Sequence, residues 1–389
     1  MKSFEVTREL KEIGLKVKPD VIAWAIDSSG WKTEDLAEKL KTNKIIIDRW
    51  TTGDSAPSIR QLEELSRYLK RPLSVFFLSQ PPHEEPPPSD FRTLSKNRGE
   101  FDKETLLVLR RARRLQRLSR ELSENLDTPL KPLLALASLS DNASEVGRFK
   151  RQELHIIDDT QMEWSDYEEF AELRSRIEEL GIFVFQMRMP LPDARGFALV
   201  DEPPPVIVLN TRDHIRPRIF TLIHELGHVL LKISGIDSPE ASISNPRADK
   251  VEKWCNEFAA EFLLPRALLA KEVQKMRESI SDEKVLTRLS NRFNVSKSML
   301  LYKLLKTDLV NYTTYSSMMD VLRSKGPPPE EEGGIGVPQD VRCLRERGNR
   351  FVSLVSRNIE KGSIDYGEAV DLLSVRLVNV DKVLSRAHR

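Results

Sequence analysis

Residues 219–233 read IFTLIHELGHVLLKI, a run apolar on nearly every face except where His224, Glu225 and His228 fall. On a helix, residues four apart project from one side about one turn apart, so both imidazoles share a face. That spacing suits two corners of a tetrahedral zinc site. Glu225, directly after the first imidazole, is placed to act as general base on a water at such a metal. Only 6 of the 389 residues are histidine. An accidental His-Glu-x-x-His therefore has a chance of the order of one in a hundred. A helix this apolar belongs in a core, where uncompensated His and Glu side chains are costly. A metal ion removes that cost.

Working outward, three stretches upstream predict short strands: Gly181–Met187 (GIFVFQM), Gly196–Val200 and Pro205–Asn210 (PVIVLN). They are rich in β-branched and aromatic residues and are punctuated by Pro and Gly. A sheet followed by a His-Glu-x-x-His helix is the core arrangement of zinc endopeptidases, and its edge strand could bind an extended substrate by strand addition. Leu231 and Ser234 stand where a metzincin requires Gly and His, which excludes that class. The third ligand is therefore sought on a downstream helix, Ala248–Leu264, stopped by Pro265. Glu252, Cys255, Asn256 and Ala259 share one of its faces, while Lys250, Lys253, Glu257 and Glu261 read as a solvated face with an i,i+4 pair. Glu252 is the first choice. Asp249, one turn earlier, and Cys255 are the rivals, although a lone buried Cys is more often an apolar filler.

Together, TLIHELGHVLL (Thr221–Leu231) and VEKWCNEFAAEFLLP (Val251–Pro265) resemble the ImmA/IrrE family of metallo-endopeptidases, whose pattern is HELGH followed by E-x-x-A-N-x-F-A-A-x-L-L-x-P. The resemblance implies His224, His228 and Glu252 as zinc ligands and Glu225 as the catalytic base. It departs at Cys255, where the family usually has Ala, and at Lys232, where a further His is common. It extends to the N-terminal module and to Asp90-Phe91-Arg92 after the prolines. The implied cofactor is one zinc ion per chain, with manganese as the alternative. The implied substrate is a protein regulator, a transcriptional repressor or antitoxin, as in a stress response or a toxin–antitoxin operon.

Residues 1–80 form a separate all-α unit. Asp20–Ser28 has a helical pattern, Thr33 caps a second helix to Leu40, and Asn43 caps a third to Trp50, ended by Gly53. Ser58 caps a fourth to Lys70. The motif T-x-x-D/E-L-A-x-x-L followed by I-x-x-W-x-x-G-x-x-x-P-S resembles the helix-turn-helix of the Cro/repressor class. This places Lys44, Ile45, Asp48 and Arg49 on a recognition helix and implies duplex DNA as a partner through residues 33–53. The charge support is slight: 14 Lys/Arg stand against 12 Asp/Glu in residues 1–80. The alternative is a bundle kept for protein contacts or for pairing two chains in a homodimer.

Residues 81–95 read as a stiff linker, with five prolines in the eight residues 81–88. Residues 96–160 are connecting helices, basic at the start: 96–120 hold 9 Lys/Arg against 3 Asp/Glu, concentrated in RRARRLQRLSR. The simple reading is a connector with snorkelling arginines, and the sharper one a contact with phosphates or an acidic partner. The peptidase domain spans 161–312. Within it Leu286–Leu309 reads as two helices around a turn at Asn294–Ser296, which completes the peptidase or, read alone, forms a second DNA reader. Residues 313–389 are a helical C-terminal region with a Pro/Gly/Glu-rich flexible loop at 324–338.

Composition agrees with an α+β, mostly helical protein of several domains, the small sheet packed on the His-Glu-x-x-His helix. Hydrophobic content of 39% with 31% charged residues supports real cores. A net charge of +1 gives no global pull toward nucleic acid or membrane, and two distant cysteines make no disulfide framework. With no apolar leader or long apolar run, cytoplasm is the expected location and no membrane partner is expected. The competing class is a non-proteolytic regulator or antitoxin-like protein with a structural or sensory metal. Such a site has no use for a base beside its first ligand and would be closed by a fourth protein ligand.

Overall fold

The computed structural model describes residues 17–83, 101–128, 135–237, 246–275, 280, 282–324 and 336–387. The Asp90-Phe91-Arg92 signature, most of the proline-rich linker and residues 325–335 of the expected loop lie outside the described residues. The chain divides into two compact units: Met1–Pro87 with Glu100–Arg110, and Pro88–Gly99 with Arg111–Arg389.

In the first unit, helices α1 (Pro19–Asp27), α2 (Thr33–Lys39), α3 (Lys44–Thr52) and α4 (Ile59–Leu69) precede a 3-10 turn, Leu73–Phe77. Asn43 Oδ1 accepts from the Ile46 amide at 3.0 Å, starting α3, and Gly53 ends it in the left-handed region at φ 88°. Ser58 and Gln61 close a capping box on α4. Thr33 behaves differently from expectation. It is the first residue inside α2, the cap position belongs to Lys32, and no side chain caps that end. Ile22, Ala25, Leu36, Ile47, Trp50, Leu62, Leu65 and Phe76 form one buried cluster. Lys44, Ile45, Asp48 and Arg49 stay exposed.

Helix α5 (Lys103–Asn125) contains the boundary between the units. The second unit continues with α6 (Ala143–Glu153), α7 (Asp158–Gln161) and α8 (Asp166–Glu179). Then come β1 (Phe183–Met187), β2 (Gly196–Leu199), β3 (Val206–Asn210), α9 (Ile215–Leu231) and β4 (Gly235–Asp237). Next are α10 (Pro246–Leu263), α11 (Arg266–Gln274), α12 (Glu283–Arg292), α13 (Lys297–Lys306) and α14 (Tyr312–Ser324). The last elements are α15 (Gln339–Arg347), α16 (Asn349–Lys361), α17 (Tyr366–Leu373) and α18 (Val380–Ala387).

The sheet order is β1-β3-β2-β4, with β1 parallel to β3 and the other pairs antiparallel. Every residue of β2 and β3 is buried, so these strands read as continuous apolar runs, not alternating ones. All three expected strands occur, each shortened by one or two residues. The fourth, Gly235–Asp237, is only three residues long and carries no periodic signal.

The principal core joins Ile177, Val184, Ala198, Ile207, Leu222, Leu226, Phe258 and Phe262 to Leu286, Leu289, Leu300 and Leu304. Helices α12 and α13 thus share one core with α9 and the sheet. Arg218, near the start of α9, is fully buried; it donates to Gln186 Oε1 (3.1 Å) and to the Asp213 carbonyl (2.5 Å), tying helix to strand. No helix among the described residues is long and apolar enough to cross a membrane.

Candidate metal centre

Helix α9 starts four residues earlier than its apolar run, because Pro217 is tolerated in a first turn, where amides have no helical partner in any case. From it His224, Glu225 and His228 all point into the interior, each at most 1% exposed. Helix α10 supplies the opposing wall. Glu252 sets one carboxylate oxygen 3.1 Å from His224 Nε2 and the other 3.2 Å from His228 Nε2. The two Nε2 atoms are themselves 3.2 Å apart.

Behind the first ring, His224 Nδ1–H donates to Asn256 Oδ1 at 3.1 Å. That bond fixes the tautomer and leaves the His224 Nε2 lone pair facing Glu252. Nδ1 of His228 is buried with no hydrogen-bond partner among the described residues. Burial pushes the Glu252 carboxyl up, but the two imidazoles, when protonated, donate to it and hold it well below the usual carboxylate range.

This donor set fits a divalent cation. Two imidazole nitrogens and a carboxylate converge at separations slightly under the edge of a zinc tetrahedron, about 3.3 Å for ordinary zinc–ligand distances. A cation between them converts a repulsion of lone pairs into coordination. Cys255 is a rival by distance, its Sγ lying within 4.8 Å of a ligand nitrogen of each histidine. Glu252 is the better placed of the two, because its two oxygens reach both facing nitrogens at once, at 3.1 and 3.2 Å. Asp249 makes no ion pair with either ring among the described residues. His224, His228 and Glu252 are therefore brought to one place, with Glu225 buried beside His224 on α9, while Lys44, Ile45, Asp48 and Arg49 belong to the other unit.

The expected solvated face of α10 holds at Lys250 and Lys253, which are exposed, but not at Glu261. Glu261 is buried and ion-paired with buried Lys303, also accepting from the Arg266 amide. Glu257 accepts from Ser144 Oγ at 3.2 Å. Helices α6 and α13 cover that side, and such long-range coverage leaves no mark in a local charge pattern. Sequence reasoning also passed over Asn256 as the partner of His224, although its place four residues after Glu252 on the inward face was the available signal.

Residues 177–305 match the model of a peptidase family described as the IrrE N-terminal-like domain. The segment holds the sheet, α9 and α10, hence every residue of the candidate centre. A comparison with curated proteins finds no match. The family match supports a metallopeptidase related to the ImmA/IrrE family, with the metal that such an enzyme requires.

Proposed function

We propose that residues 161–312 are a zinc-dependent endopeptidase domain, with His224, His228 and Glu252 as ligands and Glu225 as the general base. The observation that carries this reading is the convergence of the two Nε2 atoms and the Glu252 carboxylate at 3.1 to 3.2 Å. A bound zinc ion, or manganese in its place, supplies Lewis acidity toward the scissile carbonyl and the attacking water. The chain's own groups do the rest. Asn256 keeps the His224 proton on Nδ1. Glu225 accepts the proton of the attacking water and delivers it to the leaving amine, working from a core position where water competes poorly for its carboxylate.

The substrate in this reading is a protein regulator, a repressor or an antitoxin, cut to change gene expression. Residues 33–53 are a helix-turn-helix that reads duplex DNA, with Lys44, Ile45, Asp48 and Arg49 on the recognition helix. All four are exposed while Ile47 and Trp50 of the same helix are buried, which supports that orientation.

Glu225→Gln tests the enzyme. The variant should keep its metal content by elemental analysis and lose cleavage of neighbouring regulators by mass spectrometry, with turnover down roughly 100-fold or more. Undiminished turnover in a metal-loaded variant rules out Glu225 as the base.

A further inference from the structure

The arginines of α5 within the second unit divide into two sets. Arg113 and Arg120 are each matched by a carboxylate: Arg113 Nη1 lies 2.7 Å from Asp201 Oδ1, and Arg120 is ion-paired with Glu202. Arg111, Arg114 and Arg117 are exposed at i, i+3 and i+6 and have no acidic partner among the described residues.

A fourth guanidinium lies within electrostatic range of Arg111 and Arg114. Arg347, at the end of α15, donates from Nη2 to Ser374 Oγ at 2.9 Å, and its Nε is buried without a hydrogen-bond partner among the described residues. Burial disfavours its charge, and Arg111 and Arg114 are near enough to add to that effect. The adjacent Glu346 opposes it, but its carboxylate lies 3.9 Å from Arg342. Like charges gathered this way repel, and an anion laid across them reverses the sign.

We propose that Arg111, Arg114 and Arg117 form a sequence-independent docking surface for the phosphodiester backbone of nucleic acid. Arg111 to Arg117 spans about 9 Å along the helix at 1.5 Å per residue. A strand of duplex DNA carries one charge per about 3.4 Å of axis, so the row faces roughly three phosphates. Guanidinium groups suit phosphate because their donors are planar, paired and weakly hydrated. An acidic protein partner fits less well. A specific protein interface has an apolar or aromatic centre with charge at its rim, and the outward row here offers charge alone. The surface is independent of residues 33–53 and holds whether or not those residues read bases.

The test uses the full-length protein and a fluorescent duplex of random sequence, followed by anisotropy across a salt series. Wild-type protein should bind, with log affinity falling linearly in log salt. In Arg111→Gln/Arg114→Gln/Arg117→Gln the slope should lose about 2 to 3, and affinity near physiological salt should fall at least tenfold. Gln is close to Arg in helix propensity, so α5 should be retained; Arg117→Gln alone should remove about one unit of slope. Lys44→Gln/Arg49→Gln should leave that three-arginine increment intact, which separates this surface from the helix-turn-helix. Absence of duplex binding by the wild type, or an unchanged slope in the triple variant, overturns the proposal. So does tighter binding of poly-glutamate than of the duplex, which assigns the surface to an acidic protein.

Discussion

Asn256 does its work through one hydrogen bond. Its Oδ1 accepts from His224 Nδ1 at 3.1 Å, so the opposite nitrogen presents a lone pair to the metal position. Asn256→Ala should weaken divalent metal binding about 10- to 100-fold in a chelator competition, whereas Asn256→Asp, which keeps the acceptor, should recover most of it. Equal affinities in all three proteins remove Asn256 from the site. Glu169 is a second residue set by its surroundings. It is fully buried on α8, with Gln161 Nε2 donating at 2.6 Å, and burial pushes its carboxyl up to about 7. A raised carboxyl means that the folded state keeps a proton which the unfolded chain releases. Stability is therefore greatest below about pH 4.5 as far as this group is concerned. It declines through the window up to about pH 7 and then levels, a total of roughly 3 kcal/mol. Glu169→Gln should flatten that decline in denaturant melts taken at stepped pH; an identical decline in the variant would assign it to other groups.

Between elements, one backbone-to-backbone approach lies where α6 meets α10. A Cβ added at Gly147 would stand 2.8 Å from the Phe258 carbonyl oxygen and 3.2 Å from the Phe262 amide nitrogen. Backbone cannot swing aside as a side-chain end can, so Gly147→Ala must push the two helices apart. Because α10 also carries Glu252 and Asn256, the displacement is felt at the candidate metal centre. The expected cost is about 1–3 kcal/mol in chemical denaturation, with weakened metal binding alongside. Neutral behaviour in both measurements would mean that the helices yield more easily than their backbone approach implies. The paired burial of Glu261 and Lys303 belongs to the same scale. The helices around α10 drew one end of a charged stripe, Glu261, into an interior ion pair, and the i,i+4 spacing of Lys253 and Glu257 did not reveal it.

For the whole second unit, the C-terminal helices are part of the structure that holds the sheet. Buried Arg174 on α8 donates to the Arg345 carbonyl at 2.8 Å and to the Val184 carbonyl of β1. Gln186 Nε2 reaches the same Arg345 carbonyl at 2.7 Å, while its Oε1 receives Arg218 at 3.1 Å. Glu178, paired with Arg174 at 3.0 Å, accepts from the Arg350 amide at the start of α16. Phe351 packs edge-on against Phe185 at 5.7 Å. A buried polar chain thus runs from α15 through β1 to the helix of His224. Deleting residues 336–389 leaves the Arg174–Glu178 pair but removes the Arg345 carbonyl, the Arg350 amide and the packing of Phe351, a loss on the order of 3–5 kcal/mol. The truncated protein should be insoluble or melt far lower in calorimetry. A melting temperature within a degree or two of the full chain's would show the region to be dispensable.

What the sequence by itself determined is whatever short-range chemistry encodes. The His-Glu-x-x-His spacing, the strands Phe183–Met187, Gly196–Leu199 and Val206–Asn210, and the caps at Asn43 and Ser58 each depend on residues a few positions apart. Glu252 was legible because helical periodicity set it on the same face as Asn256 and Cys255. The tertiary structure alone decided which of Glu252, Asp249 and Cys255 meets both imidazoles, since that depends on the rotation of α10 against α9. It likewise decided the strand Gly235–Asp237, the interior place of Glu261, and the role of residues 339–387 in bracing β1. Each of these rests on contacts between segments tens to hundreds of residues apart, and burial imposed from that distance leaves no periodic trace in the segment it covers.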